Sequence, residues 1–313
     1  MSTTTPTAPA QPEEKLTKKD LTADHPTWCP GCGDFAVLAA FYKVLEKLQI
    51  PHEKIVTIAG IGCSSRFPYF VNSHGLHYIH GRALPLATGV SISRPDLHVF
   101  VFGGDGDGFS IGGNHVDHAA RKNVNLTYII MDNFVYGLTK KQTSPTSPIG
   151  FKSKTDPGGS KDRPINPMKK LIAGGATFVA RTHAAQVKHM MEMFERAIMH
   201  PGFSVVETLS ECVVFYKGSF DDGNPRKGGV FEEIDEKKWD GTPEDEKRHD
   251  VTDESSAYAI ADLQYPGKFG VFYEKDDVPT KNHTEQKWVE ESRAAVKDAD
   301  AKTLLKKRFS LMK

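Results

Sequence analysis

All four cysteines of this 313-residue chain fall in short motifs flanked by glycine or serine. Cys29 and Cys32 sit in Cys-Pro-Gly-Cys-Gly, Cys63 in Gly-Ile-Gly-Cys-Ser-Ser, and Cys212 in Ser-Glu-Cys. Four thiolates fill the coordination of a 4Fe–4S cluster or of a tetrahedral zinc. A lone Cys-x-x-Cys suits a zinc knuckle or a redox dithiol. The other two cysteines are isolated and far apart, whereas zinc ribbons usually add a second close pair. A large cluster tolerates such spacing better than a small zinc module does. Glycines beside Cys32 and Cys63 let backbone amides approach cluster sulfurs and tune their potential.

A second set lies between the third and fourth cysteines: Gly-Gly-Asp-Gly-Asp-Gly at 103–108, then Asp-Asn at 132–133. A lone Asp-Gly pair is more often a turn than a ligand. Here the run closes an apolar segment and opens a helix, and the Asn follows the next apolar segment. Magnesium takes oxygen ligands in near-octahedral geometry, with water and phosphate filling several positions. Asp105, Asn133 and a carbonyl near Val135 would supply the protein share. Gly106, Asp107 and Gly137 offer backbone that can close on a diphosphate.

These residues need elements to hold them. Apolar residues recur with helical spacing from Phe35 to about Gln49, with Asp34 as the expected cap. Buried strands are predicted at 55–59, 97–102, 126–131, 177–180 and 204–209. Helices are predicted near 83–93, 109–122, 167–173 and 184–200. Strands alternating with helices argue for an α/β fold, a mostly parallel sheet with helices on both faces. Ligands of such sheets sit beyond the carboxyl ends of the strands. Cys63, Asp105, Asn133 and Cys212 each follow a predicted strand, so one shared site is expected.

Residues 1–27 read as a flexible N-terminal arm and 28–219 as the binding domain. Residues 220–313, charged with scattered aromatics, read as an extended C-terminal segment that docks a partner. Basic and acidic residues balance at 40 each, so no bulk field favours nucleic acid or anionic lipid. No apolar run approaches the ~18 residues of a membrane span. Without an export signal the expected compartment is the cytoplasm, where cysteines serve metals or catalysis more than disulfides.

The Gly-Asp-Gly…Asn pattern resembles the thiamine diphosphate motif. Together with the cysteines, Ile-His-Gly-Arg-Ala, Tyr-Gly-Leu-Thr-Lys and the late Ser-x-Cys, it resembles the β subunit of 2-oxoacid:ferredoxin oxidoreductases over about Trp28 to Lys217. The wording around Arg66-Phe67-Pro68-Tyr69 and Thr143 to Ser147 is similar to the 2-oxoglutarate-using branch. The resemblance implies a thiamine diphosphate-binding fold. It implies that Cys29, Cys32, Cys63 and Cys212 ligate one 4Fe–4S cluster. Ile61, Gly62, Cys63, Ser64 and His80 would line the thiamine, and Gly106, Asp107, Gly137 and Leu138 the diphosphate. Asp105, Asn133 and the Val135 carbonyl would bind Mg2+. Ser-Glu-Cys, with Tyr216 downstream, departs from the Pro and Asn expected in many relatives.

By the same resemblance a 2-oxoacid is decarboxylated oxidatively, coenzyme A takes the acyl group, and ferredoxin takes the electrons. The activating glutamate is assigned to an α (or fused α/γ) subunit in an α2β2 assembly, since no glutamate in these motifs fits. His80, Arg66 and Lys140 are candidate catalytic residues, the two cations for a second substrate carboxylate. Pyruvate and branched 2-oxoacids are alternative substrates. The rival classes are a thiamine decarboxylase or carboligase, which needs no four-cysteine set, and a non-catalytic zinc-stabilised scaffold.

Overall fold

A computed structural model of the chain describes residues 15–263, 265–295 and 300–311. Its centre is a sheet of seven strands: β1 (Ile55–Ala59), β2 (His74–His77), β3 (His98–Gly104), β4 (Leu126–Asp132), β7 (Phe178–His183), β8 (Phe203–Leu209) and β9 (Gly270–Glu274). A two-stranded hairpin, β5 (Val135–Tyr136) and β6 (Gln142–Thr143), stands apart. The order across the sheet is β2-β1-β3-β4-β8-β7-β9, with every pairing parallel except β7 to β9. Every residue of β1, β4 and β8 is buried, as continuous apolar runs in a sheet covered on both faces should be.

Among the described residues are ten α-helices: α1 (Lys18–Leu21), α2 (Asp34–Leu48), α3 (Phe67–Phe70), α4 (Ala83–Ser93), α5 (Gly113–Arg121), α6 (Pro167–Ala173), α7 (Val187–Met199), α8 (Glu254–Ala261), α9 (Lys281–Ala295) and α10 (Ala301–Leu311). One core joins the apolar stripe of α2 (Val37, Leu38, Phe41, Val44, Leu45) to α7 and to Phe100, Phe102, Ile129 and Val206 of the sheet. The opposite face buries Val101, Tyr128, Ile130 and Val205 beneath α4, α5, α6 and α8. The five predicted strands are all present, each within three residues at its ends.

Two boundaries differ from expectation. Within the expected arm, residues 1–14 lie outside the described part, but residues 15–27 are pinned. Leu21 is fully buried, and Ala23 and Asn72 exchange backbone bonds with Phe70 and Leu21. The C-terminal region from 220 is not simply extended over a surface. Strand β9 pairs with β7, Phe269 and Phe272 are buried, and Arg196 of α7 bonds both Glu236 (2.8 Å) and Glu274 (2.5 Å). The apolar residues Phe269, Val271 and Phe272 form too short and irregular a run to stand out from their charged flanks.

Candidate active site

Four loops at the carboxyl ends of β1, β3, β4 and β8 meet the loop that precedes α2. Trp28 starts the assembly. Its ring packs on Phe70 (4.8 Å) and Phe67 (5.5 Å), and its Nε1 donates to the Cys63 carbonyl at 2.7 Å. Phe67 in turn stacks on Phe102 of β3 at 4.1 Å. The loop carrying Cys63 and the one carrying Cys29 and Cys32 are thereby fixed to each other and to the sheet.

Gly33 brings in the fourth cysteine. A Cβ there would stand 2.5 Å from Ser210 Oγ and 3.0 Å from the Glu211 amide, so only glycine permits this approach. The Gly33 amide donates to the Glu211 carbonyl, and Ser210 Oγ donates to Asp34 Oδ1 at 2.6 Å. Asp34 therefore does not cap α2, as expected from sequence. Gly33 takes that position, and the Asp34 carboxyl is buried against the Cys212 segment, where burial pushes its pKa up to about 6. Ser210 supplies the local bonding that the departure in this motif left open, adding an amide bond to the Asp132 carbonyl at 2.8 Å.

All four cysteines line one cavity of about 210 Å3, closed by Trp28, Leu138, Val213, Val214 and Phe215. The Cys212 and Cys63 sulfurs lie 3.6 and 3.8 Å from the place a Cβ on Gly137 would take. Burial, then the Asp34 charge, then the charges of Cys212 and Cys29 push the Cys63 thiol up to about 11. Burial, then Asp34, push the Cys32 thiol upward as well. The thiols thus feel one another. Among the described residues no three His, Cys, Asp or Glu side chains are arranged to hold a single ion. A tetrahedral zinc needs its sulfurs ~2.3 Å from one point, whereas a cluster spreads them around a larger core. The sulfur-only donor set in an apolar wall fits a cluster.

A second cavity shares a wall with the first. It is lined by Ile61, Gly62, Cys63, Ser64, His80, Asp105, Gly106, Asp107, Asn133, Val135, Gly137 and Leu138, every cofactor and magnesium residue expected from the sequence. Cys63, Asn133, Gly137 and Leu138 line both cavities. The Asp107 carboxylate is engaged by the protein: its Oδ1 accepts from His80 Nδ1 (2.7 Å), the Gly81 amide (2.8 Å) and the Ile61 amide (2.9 Å). It holds the loops bearing Ile61 and His80 together. A Cβ on Gly106 would collide with the Tyr136 ring.

Asp105 is 2 % exposed, and its Oδ2 accepts from Thr146 Oγ1 at 2.7 Å. The same hydroxyl lies 2.9 Å from Asp132 Oδ1, while Asp132 Oδ2 is buried without a partner. Burial raises the pKa of both acids, and for Asp132 the Asp105 and Glu207 charges add to it. Two buried carboxyls with an orphaned oxygen fit a cation beside Asp105. Asn133 Oδ1 accepts from the Val135 amide at 3.1 Å, which fixes the amide side chain at the same cleft.

Arg66 and Lys140 line the cysteine cavity, not the second one. Arg66 reaches the Thr27 carbonyl at 3.3 Å, and Lys140 is exposed in a left-handed turn. Trp28, Asp34, Ser210 and Thr146 are the positioning residues that the motifs did not assign.

Fold and cleft define a thiamine diphosphate-binding domain. Residues 60–208 match the family described as "Thiamine pyrophosphate enzyme, C-terminal TPP binding domain". The chain is 46 % identical over 217 residues to the 2-oxoglutarate oxidoreductase subunit KorB of Mycobacterium tuberculosis, covering 69 % of this chain and 58 % of that relative's length. It is 37 % identical over 257 residues to the 2-oxoacid:ferredoxin oxidoreductase subunit beta of Saccharolobus solfataricus, covering 81 % and 83 %. Among solved structures, 2-oxoglutarate:ferredoxin oxidoreductase from Magnetococcus marinus, with 2-oxoglutarate, coenzyme A and succinyl-CoA bound, superposes with a TM-score of 0.82 at 39 % identity, covering 96 % of this chain and 97 % of that one. This chain belongs to the family of 2-oxoacid:ferredoxin oxidoreductase β subunits.

Proposed function

We propose that this chain is the thiamine- and cluster-bearing β subunit of a 2-oxoglutarate:ferredoxin oxidoreductase, completed by an α subunit in an α2β2 assembly. The reaction would convert a 2-oxoacid and coenzyme A to acyl-CoA, carbon dioxide, one proton and two electrons; with 2-oxoglutarate the product is succinyl-CoA. The observation that carries this reading is the common wall of the two cavities, because Cys63, Gly137 and Leu138 would touch both cofactors.

Bound in the second cavity, thiamine diphosphate would supply the electron sink for decarboxylation. Asp105, Asn133 and the Val135 carbonyl would hold its Mg2+, and Cys29, Cys32, Cys63 and Cys212 would hold one 4Fe–4S cluster. Ile61 to Ser64 would contact the thiamine, and the backbone of Gly106, Asp107, Gly137 and Leu138 the diphosphate. The Asp107 carboxylate accepts from His80 Nδ1, which fixes the ring at the cleft with Nε2 turned away from that bond. Cys29, Cys32, Cys63 and Cys212 would each shed a proton on metal binding, since only the thiolate is a ligand. Arg66 and Lys140 are the cations available to the second carboxylate of 2-oxoglutarate.

The second cavity encloses only about 90 Å3, well below the roughly 300–1,000 Å3 of a self-sufficient ligand pocket. Ile61 and Leu138 of its lining are exposed, as are Tyr78 and Ile79, which precede His80 in sequence, and Ile111, which packs against Gly81. Edge strand β2 beside it is exposed throughout. A partner seated there would finish the pocket and supply the missing glutamate.

The test is anaerobic co-purification with the α partner, followed by iron and labile-sulfide analysis and assays of ferredoxin reduction with 2-oxoglutarate and pyruvate. About four irons per chain and a thiamine- and coenzyme A-dependent rate with 2-oxoglutarate are expected. Colourless, zinc-loaded protein would refute the reading.

A further inference from the structure

The chain carries no net charge, yet cations gather at the mouth of the four-cysteine cavity. Arg66 and Lys140 are in its lining. Lys141 stands 5.6 Å over the Phe151 ring, and Phe151 packs on Tyr216 at 4.6 Å, next to Lys217. The Lys154 amide bonds the Lys141 carbonyl at 3.0 Å. Among the described residues none of these five cations forms an ion pair. Glu211, a carboxylate on the same face, has its Oε1 on the Gly218 amide at 2.6 Å. Inside the ring, Cys29 is exposed and Val214 is 56 % exposed.

An apolar centre with a rim in which cations outnumber the one carboxylate, Glu211, is the arrangement of a steered, short-lived protein encounter. The face differs from the exposed surface beside β2, whose side chains Leu76, Tyr78 and Ile79 are uncharged. We propose that the outer part of this rim, Lys141, Lys154 and Lys217, is the landing site for a small acidic electron-carrier protein, the inner Arg66 and Lys140 being left to the substrate carboxylate. The inference rests on the cysteines carrying a cluster, as argued above. A carrier docked here would meet the cluster at its exposed Cys29 side. Two carriers, each reduced by one electron, balance the two electrons released per 2-oxoacid.

The test uses the complete enzyme with Lys154→Glu and Lys217→Glu combined, both exposed and outside the cavity lining. The probes are an acidic two-cluster ferredoxin and methyl viologen, a small dye that needs no docking surface. The KM for ferredoxin should rise about tenfold, as expected for loss of electrostatic steering, while the dye rate stays at the wild-type value. Added salt should raise the ferredoxin KM of the wild type more than that of the variant. An unchanged ferredoxin KM with an intact dye rate would overturn the docking site and leave the proposed function standing. Loss of the α subunit from the purified variant would also overturn it, by assigning this face to the partner subunit. A wild type that reduces neither acceptor would overturn the proposed function and the docking site together.

Discussion

Thr146 has one hydroxyl proton and two buried carboxyl neighbours, Asp105 at 2.7 Å and Asp132 at 2.9 Å. One proton cannot serve both at once. The arrangement closes if one carboxyl keeps its own proton; burial raises both, and the Asp105 and Glu207 charges push Asp132 further, so Asp132 is the one that keeps it. Thr146 then donates to Asp105 and fixes the carboxylate proposed for Mg2+. Thr146→Val keeps the volume and removes the donor, a loss of about 1–2 kcal/mol. The Mg2+ midpoint for thiamine diphosphate binding, followed by calorimetry, should rise about tenfold in Thr146→Val and stay near wild type in Thr146→Ser. An unmoved midpoint in the valine variant would remove Thr146 from this role. Lys140 is tested through its substrate. Lys140→Ala should raise the KM for 2-oxoglutarate about tenfold, from the loss of one charge-assisted bond, and leave that for pyruvate nearly alone. An equal effect on both substrates would end its assignment to the second carboxylate.

At the scale of elements, the site depends on loops forced close together. Gly33→Ala would press a methyl group onto Ser210 Oγ and the Glu211 amide, so the loop bearing Cys29 and Cys32 must move away from Cys212. Iron per chain after anaerobic purification should fall while the far-UV circular dichroism of the sheet persists. Full iron loading in the alanine variant would show that the two segments need no such contact. Strands β1, β3, β4, β7 and β8 were legible in the sequence because each is a buried apolar run in a covered parallel sheet. Strand β2, His-Gly-Leu-His, carries no such run because it is an exposed edge, and its pairing with β1 is dictated by the neighbour. The residues expected to line the cofactor cavity were legible as types: glycines, carboxylates and an amide just past strand ends. Their supports were not. Ser210 and Asp34 meet across 176 positions and Trp28 and Cys63 across 35, distances at which no local pattern exists.

For the molecule as a whole, stability against acid turns on histidines that the fold keeps neutral. His200, at the end of α7, is 5 % exposed, and burial holds its pKa down at about 4. The Thr177 hydroxyl gives its proton to Asn123 Oδ1, so it accepts from His200 Nε2 at 2.8 Å and leaves Nδ1 buried with no partner. A second proton on that ring would have nowhere to bond. Burial holds His189 of α7 at about 4 too. The unfolded chain takes protons on these rings from the ordinary value of 6.5 downward, and the folded chain does not until about 4. The unfolded state therefore binds more protons in that window, so these two groups contribute nothing above it and cost stability as pH falls through it. The buried acids work the other way. Asp34, raised to about 6, favours the folded state at low pH and loses that contribution as pH rises from 3.8 to 6. A simple acid titration of the wild type would mix the two. His200→Gln separates them, since glutamine keeps a donor for Thr177 and has no proton to gain. At pH 7.5 the variant should melt below the wild type, because it loses the packing of His200 on Phe178 (5.5 Å). At pH 5 that gap in melting temperature should narrow, because only the wild type meets the added protonation cost. A gap that stays constant between the two pH values would mean that His200 is protonated in the folded protein at no cost, and that its burial does not govern its charge.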